Sequence, residues 1–123
     1  VIQVPFHDIL YFETSDIVHK VILYTKEEQI EFYGSLSQIE KSDPRLFKCH
    51  KSFLVNPENI IKLDKSPGTV YFENGGVCYV SKLKLKKLLE RIHYDTITLV
   101  LDNLDFLRVI SLFSFINTLP PRR

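Results

Sequence analysis

Between Leu46 and Pro57 the chain reads Leu-Phe-Lys-Cys-His-Lys-Ser-Phe-Leu-Val-Asn-Pro, a hydrogen-bonding, cationic stretch set between apolar residues. Phe47 and the run Phe53-Leu54-Val55 are of types that bury. Lys48, His50, Lys51, Ser52 and Asn56 are of types that hold a phosphate or a base edge. Three readings are open: a polar strand edge, an active site, or a nucleic-acid contact. Catalysis fares worst. The four histidines (His7, His19, His50, His93) are scattered, with neither the His-Glu-x-x-His nor the Cys-x-x-Cys spacing of a zinc site. Cys49 and His50 suggest a thiol nucleophile with its base, but neighbours on a strand point to opposite faces. No glycine-rich phosphate loop is present, and Asn74-Gly75-Gly76 fits a hairpin turn better. We expect no catalytic residue, no metal and no cofactor.

The elements that would position these groups are short. At 123 residues there is room for one domain with one modest core. Ile9-Leu10-Tyr11-Phe12, Val18 to Tyr24 and Gln29 to Tyr33 read as strands from their β-branched and aromatic content. Ser35 is placed to cap a short helix from Leu36 that ends at Asp43-Pro44. Ile60 to Leu63, Val70 to Phe72 and Val77 to Val80 read as a meander, because Ser66-Pro67-Gly68 and Asn74-Gly75-Gly76 are turn sequences. From Lys82 the period changes: Leu85, Leu88, Leu89 and Ile92 fall on one helical face, and Ser81 can cap that helix.

Net charge is +1 but uneven. Residues 1–40 carry two lysines against seven carboxylates, and residues 41–93 carry eleven Lys/Arg against five. Such asymmetry fits a one-sided positive surface for an anionic polymer, or a chance spread of solvated lysines. Cys49 and Cys78 are the only cysteines, and neither a secretory signal nor a disulfide framework is indicated. The chain opens at Val1 without any Met, as expected of a piece of a longer protein.

The stretch Leu46 to Ile60 resembles the signature of LytTR-type DNA-binding domains, in which an aromatic, a basic residue, His, Ser and Val-Asn recur in order. Asp8-Ile9-Leu10-Tyr11-Phe12-Glu13 is similar to the family's entry strand. Ile30 to Leu36 is similar to its strand leading into a short helix, and Tyr79-Val80-Ser81-Lys82 to its step into the last helix. The Phe-Tyr-Gly-Ser-Leu and Cys-His-x-Ser-Phe stretches resemble the agr-type quorum-sensing response regulators in particular. The similarity covers about residues 1–92, and the domain is expected to span 1–93, with 94–123 as a tail.

The resemblance implies a mainly β fold with short helices, an elongated three-sheet β sandwich. It also implies cytoplasmic sequence-specific DNA binding as the output domain of a bacterial two-component response regulator. Loops would enter successive major grooves of repeated promoter sites and bend the duplex, the domain being a monomer alone and paired on repeats. A phosphoacceptor receiver domain is expected upstream and is absent from this chain. Carried over position by position, the contacts fall at His19, at Lys51 (Asn in the agr-type members) and at the loop entering the last helix. There the agr-type Arg aligns with Leu83, and Lys82 takes the basic position of the wider family.

The expected DNA-binding residues are therefore His19, Lys51, Ser81 and Lys82, with Lys48 and Lys84 adding sequence-independent attraction. Leu83 is expected to pack within its helix and is left out. His50 is expected to be a core or strand-edge histidine holding a backbone carbonyl, and Asn56 to shape a turn. Strand alternation would put Cys49 and Lys51 on one side and His50 on the other. Cys49 and Cys78 are a candidate redox pair if their segments neighbour one another in the sheet, or else two small buried hydrophobes kept reduced. The tail from Tyr94 to Arg123 is apolar but interrupted by Asp102, Asp105 and Arg108, which argues against a membrane helix. It reads as a packed helix, a partner-dependent segment or a non-native end. The alternative function is a small β-rich interaction module that docks a partner through that tail.

Overall fold

The computed structural model describes residues 1–92 and the backbone of Val100–Leu101. Its strands are β1 (Ile9–Thr14), β2 (Lys20–Thr25), β3 (Gln29–Tyr33), β4 (Phe47–His50), β5 (Phe53–Val55), β6 (Lys62–Asp64), β7 (Thr69–Tyr71), β8 (Val77–Tyr79) and β9 (Val100–Leu101). The helices are α1 (Leu36–Ser42) and α2 (Lys82–Arg91). The chain is mainly β with short helices, as expected.

The sheets number two among the described residues, not three. One has the order β3-β2-β1-β5-β4 and the other β8-β7-β6-β9. The reason is that β1 pairs on both sides, with β2 through Phe12↔Leu23 and with β5 through Phe12↔Leu54. The β2–β3 and β4–β5 hairpins are thereby joined into one continuous five-stranded sheet. In the second sheet β6, β7 and β8 form the expected antiparallel meander, and β9 adds to β6 in parallel at Leu63↔Val100. All other expectations for the tail lie outside the described residues.

The larger sheet is covered on both faces. Tyr11, Phe47, Cys49, Phe53 and Val55 face Leu63, Val70, Phe72, Cys78 and the Leu88 of α2 in one core. Phe12, Val21, Leu23 and Leu54 meet Leu36 of α1 and Leu46 in a second core on the other face. This is why β5 buries all three of its residues, Phe53, Leu54 and Val55. Each such side chain stabilises the fold by roughly 1.5–3 kcal/mol. A β-bulge between Ile9 and Tyr11 turns Leu10 and Tyr11 into the same core.

Ser35 caps α1 as expected, its hydroxyl accepting from the Gln38 N–H at 3.2 Å. Asn56 does more than shape a turn. It is fully buried; its amide donates to the carbonyls of Phe6 (3.1 Å) and Ile9 (3.0 Å), and its oxygen accepts from the Glu58 N–H (3.1 Å). It ties the end of β5 to the segment that enters β1.

Candidate nucleic-acid interface

Three connections carry the expected residues, and hydrogen bonds place them relative to one another. The first is the β1–β2 turn. Ser15 receives the Ile17 N–H on its hydroxyl at 3.0 Å, and the Lys20 N–H closes onto the Ile17 carbonyl at 3.1 Å. His19 sits at the tip, exposed, with φ +67°, a left-handed conformation uncommon for a residue with a Cβ. Its carbonyl is held by the Gly34 N–H at 2.9 Å, so the strained backbone is fixed from β3's end. Beside it the Lys20 ammonium lies 4.8 Å from the ring centroid of exposed Tyr33. Tyr33 was given no role by the sequence reading, because a lone aromatic at a strand end carries no spacing signal.

The second connection is the two-residue β4–β5 turn, Lys51-Ser52. The expected alternation fails here. The register runs Lys48↔Leu54 and then His50↔Phe53, with a bulge between, so the strand ends at His50. Lys51 is exposed at the turn instead of sharing a strand face with Cys49. His50 is a partly buried anchor, but it holds an amide and not a carbonyl: its Nδ1 accepts from the Ser52 N–H at 3.1 Å. Its ring lies 5.8 Å from that of Phe53 and 6.4 Å from that of Tyr79.

The third is the start of α2. Ser81 occupies the N-cap position with extended backbone, but its side chain makes no capping bond. Its N–H donates to the Cys49 carbonyl at 2.9 Å, which seats the helix start against β4. Lys82 is exposed and Lys84 half-buried. Leu83, expected to pack, is 89% exposed; the helix turns Leu85, Leu88 and Leu89 inward and leaves Leu83 outward.

These links bring the groups to one end of the five-stranded sheet. The Thr14 N–H at the end of β1 donates to the Ser52 carbonyl at 3.1 Å. The β1–β2 and β4–β5 turns therefore leave the sheet side by side, about two strand spacings or roughly 10 Å apart. The Ser81–Cys49 bond adds the helix start beside β4. Among the described residues, Lys48, Lys51, Lys82 and Lys84 have no carboxylate within 4.0 Å, whereas Lys20 and Lys62 do. Ammonium groups without such a partner, beside the start of a helix, suit a polyanion.

The two cysteines are not on neighbouring strands of one sheet. Cys49 lies in β4 and Cys78 in β8, and both are free thiols, fully buried in the core between the sheets. The Cys49 thiol donates to the Tyr79 carbonyl at 3.3 Å. Burial pushes the Cys49 pKa up to about 12 and raises that of Cys78 further, helped by the nearby Cys49. No group of three or more His, Cys, Asp or Glu is placed to hold a metal among the described residues. Nor is any described helix long and apolar enough to cross a membrane.

Comparison with known proteins gives the fold and the family. A LytTr DNA-binding domain from Bacillus cereus superposes with a TM-score of 0.64 at 23% identity, covering 76% of this chain and 88% of its own. At that identity the likeness speaks to the fold. In sequence, the accessory gene regulator protein A of Staphylococcus epidermidis strain RP62A is 40% identical over 87 residues, and that of Staphylococcus aureus strain N315 is 41% identical over 87. These stretches are 71% of this chain and 37% of each relative, so the chain spans little more than a third of the regulators it matches. The LytTr DNA-binding domain model matches residues 1–93, which takes in both cores, the three connections and all of α2. The chain belongs to the LytTr DNA-binding domain family, a DNA-binding and not an enzymatic one.

Proposed function

We propose that this chain is the output domain of a bacterial two-component response regulator of the agr type, with a receiver domain upstream in the full protein. It binds repeated promoter sites by setting the His19 turn, the Lys51-Ser52 turn and the start of α2 into successive major grooves, and it bends the duplex. The observation that carries this reading is the gathering of three connections at one end of a doubly covered sheet, with lysines there that have no carboxylate partner among the described residues. Exposed His19 can donate to or accept from a base edge. Lys51 has only donors and suits a phosphate or the guanine acceptors. Ser81, Lys82 and the first N–H groups of α2 make a phosphate seat, and Lys48 and Lys84 add attraction.

The test is electrophoretic shift against salt. Specific affinity should fall steeply with ionic strength, and Lys51→Ala should lower the slope of log K against log salt by about one unit. Absent or salt-independent binding by a folded sample would sink the reading. The thiols add a redox arm. An oxidant that takes two electrons and two protons from Cys49 and Cys78 would join β4 to β8 and displace the turn bearing Lys51. Mild oxidant should give a Cys49–Cys78 crosslink by mass spectrometry together with weaker binding; a crosslink without loss of affinity removes the switch.

A further inference from the structure

Apart from the terminal Val1, no large apolar side chain among the described residues is more exposed than Leu83, at 89%. It stands in the first turn of α2, where the helix's other leucines serve the core. Its sequence neighbours are Ser81, Lys82 and Lys84, and the Ser81–Cys49 bond brings the Lys51 turn to the same end of the sheet. An apolar group flanked in sequence by lysines that have no carboxylate within 4.0 Å among the described residues is poorly suited to an apolar protein patch. It suits an anionic surface that presents small apolar groups. Major-groove DNA is such a surface, because each thymine shows a C5-methyl there and phosphates line the groove on both sides.

We propose that Leu83 is a specificity-determining contact that reads a thymine methyl group in the major groove. This rests on the DNA-binding reading above and sharpens it. Leucine has neither donor nor acceptor, so it cannot read guanine O6 and N7; what it can recognise is a methyl group removed from water. Lys82 and Lys84 flank it as non-specific phosphate contacts and hold the helix start against the groove.

The experiment begins by selecting a preferred duplex from random DNA with the full chain. Each thymine of that site is then replaced by uracil, which deletes the methyl and leaves the pairing intact. At one thymine the replacement should weaken the wild-type protein about fourfold, the worth of one buried methyl. In Leu83→Ala, folded as judged by circular dichroism, that same replacement should cost nothing, while the other positions keep their profile. Three results overturn the inference. The first is a uracil profile identical in wild type and Leu83→Ala. The second is an unchanged profile with self-association lost in ultracentrifugation, which would assign Leu83 to a contact between copies. The third is failure to select any duplex, which removes the DNA-binding reading itself and is distinct from the first two.

Discussion

Single residues settle what each polar group near the interface is for. Asn56 and His50 belong to the signature stretch, and both spend their hydrogen bonds inward on the fold. Lys51, one residue from His50, has no side-chain hydrogen bond among the described residues. The thiols are kept protonated for a related reason, their burial between the sheets. This has a consequence for stability against pH. An unfolded thiol ionises near its ordinary 9.0, whereas folded Cys49 holds its proton up to about 12. Above pH 9 the folded state then binds more protons than the unfolded one, so stability falls as pH rises. Tyr24, raised from 10.0 to about 12 by burial and by its bond to Glu13, acts in the same direction. The thermal midpoint should therefore drop progressively between pH 9 and 12, and Cys49→Ala should flatten that drop. A midpoint constant over the window would contradict the burial of these groups.

At the scale of elements, the meander of the second sheet hangs on Gly68. Its φ is +105°, and a Cβ there would stand 2.8 Å from the Val80 carbonyl oxygen. The Gly68 carbonyl also accepts the Val80 N–H at 2.9 Å. Gly68→Ala should cost about 2 kcal/mol or more in urea unfolding, and a neutral result would mean that the β6–β7 turn adopts another backbone. Ser66-Pro67-Gly68 announced this turn in the sequence, as Ser35 announced α1 and the leucine spacing announced α2. Those signals are local, each written in a few neighbouring residues. Less legible were the features that depend on distant partners. That β1 would pair on both sides and merge two hairpins into one sheet is set by long-range register. The bulge in β4 that ends the strand at His50 leaves no mark in composition, so period-two counting put Lys51 on the wrong footing. Leu83 misled for the opposite reason: leucine in a helix usually packs, and its true direction depends on where α2 meets β4. The candidate site was legible as residue types and order, not as geometry.

In the molecule as a whole, charge and topology run together. The acidic first forty residues supply β1 to β3, while the basic residues 41–93 supply β4, β5 and α2. A polyanion would be drawn first to the β4 and α2 side and meet the His19 turn second, where Lys20 is already engaged with Glu31 at 4.0 Å. Both cores and all three connections lie within residues 1–92. Deleting residues 94–123 should accordingly leave a folded protein with DNA affinity within about threefold of the full chain and the same salt slope. Loss of binding by a folded truncation would move the interface into the tail and favour partner docking.

The hydrogen bond from Thr14 to Ser52 has one more consequence. It anchors the His19 and Lys51 turns to adjacent strands of a sheet packed on both faces, so their separation is a fixed gauge that the protein cannot stretch to suit a site. On the proposed binding mode, any mismatch in spacing must be absorbed by the nucleic acid. Base steps lying between the contacts, touched by no side chain, would then be read through their stiffness alone, and a flexible pyrimidine–purine step there would act as a silent letter of the recognition sequence.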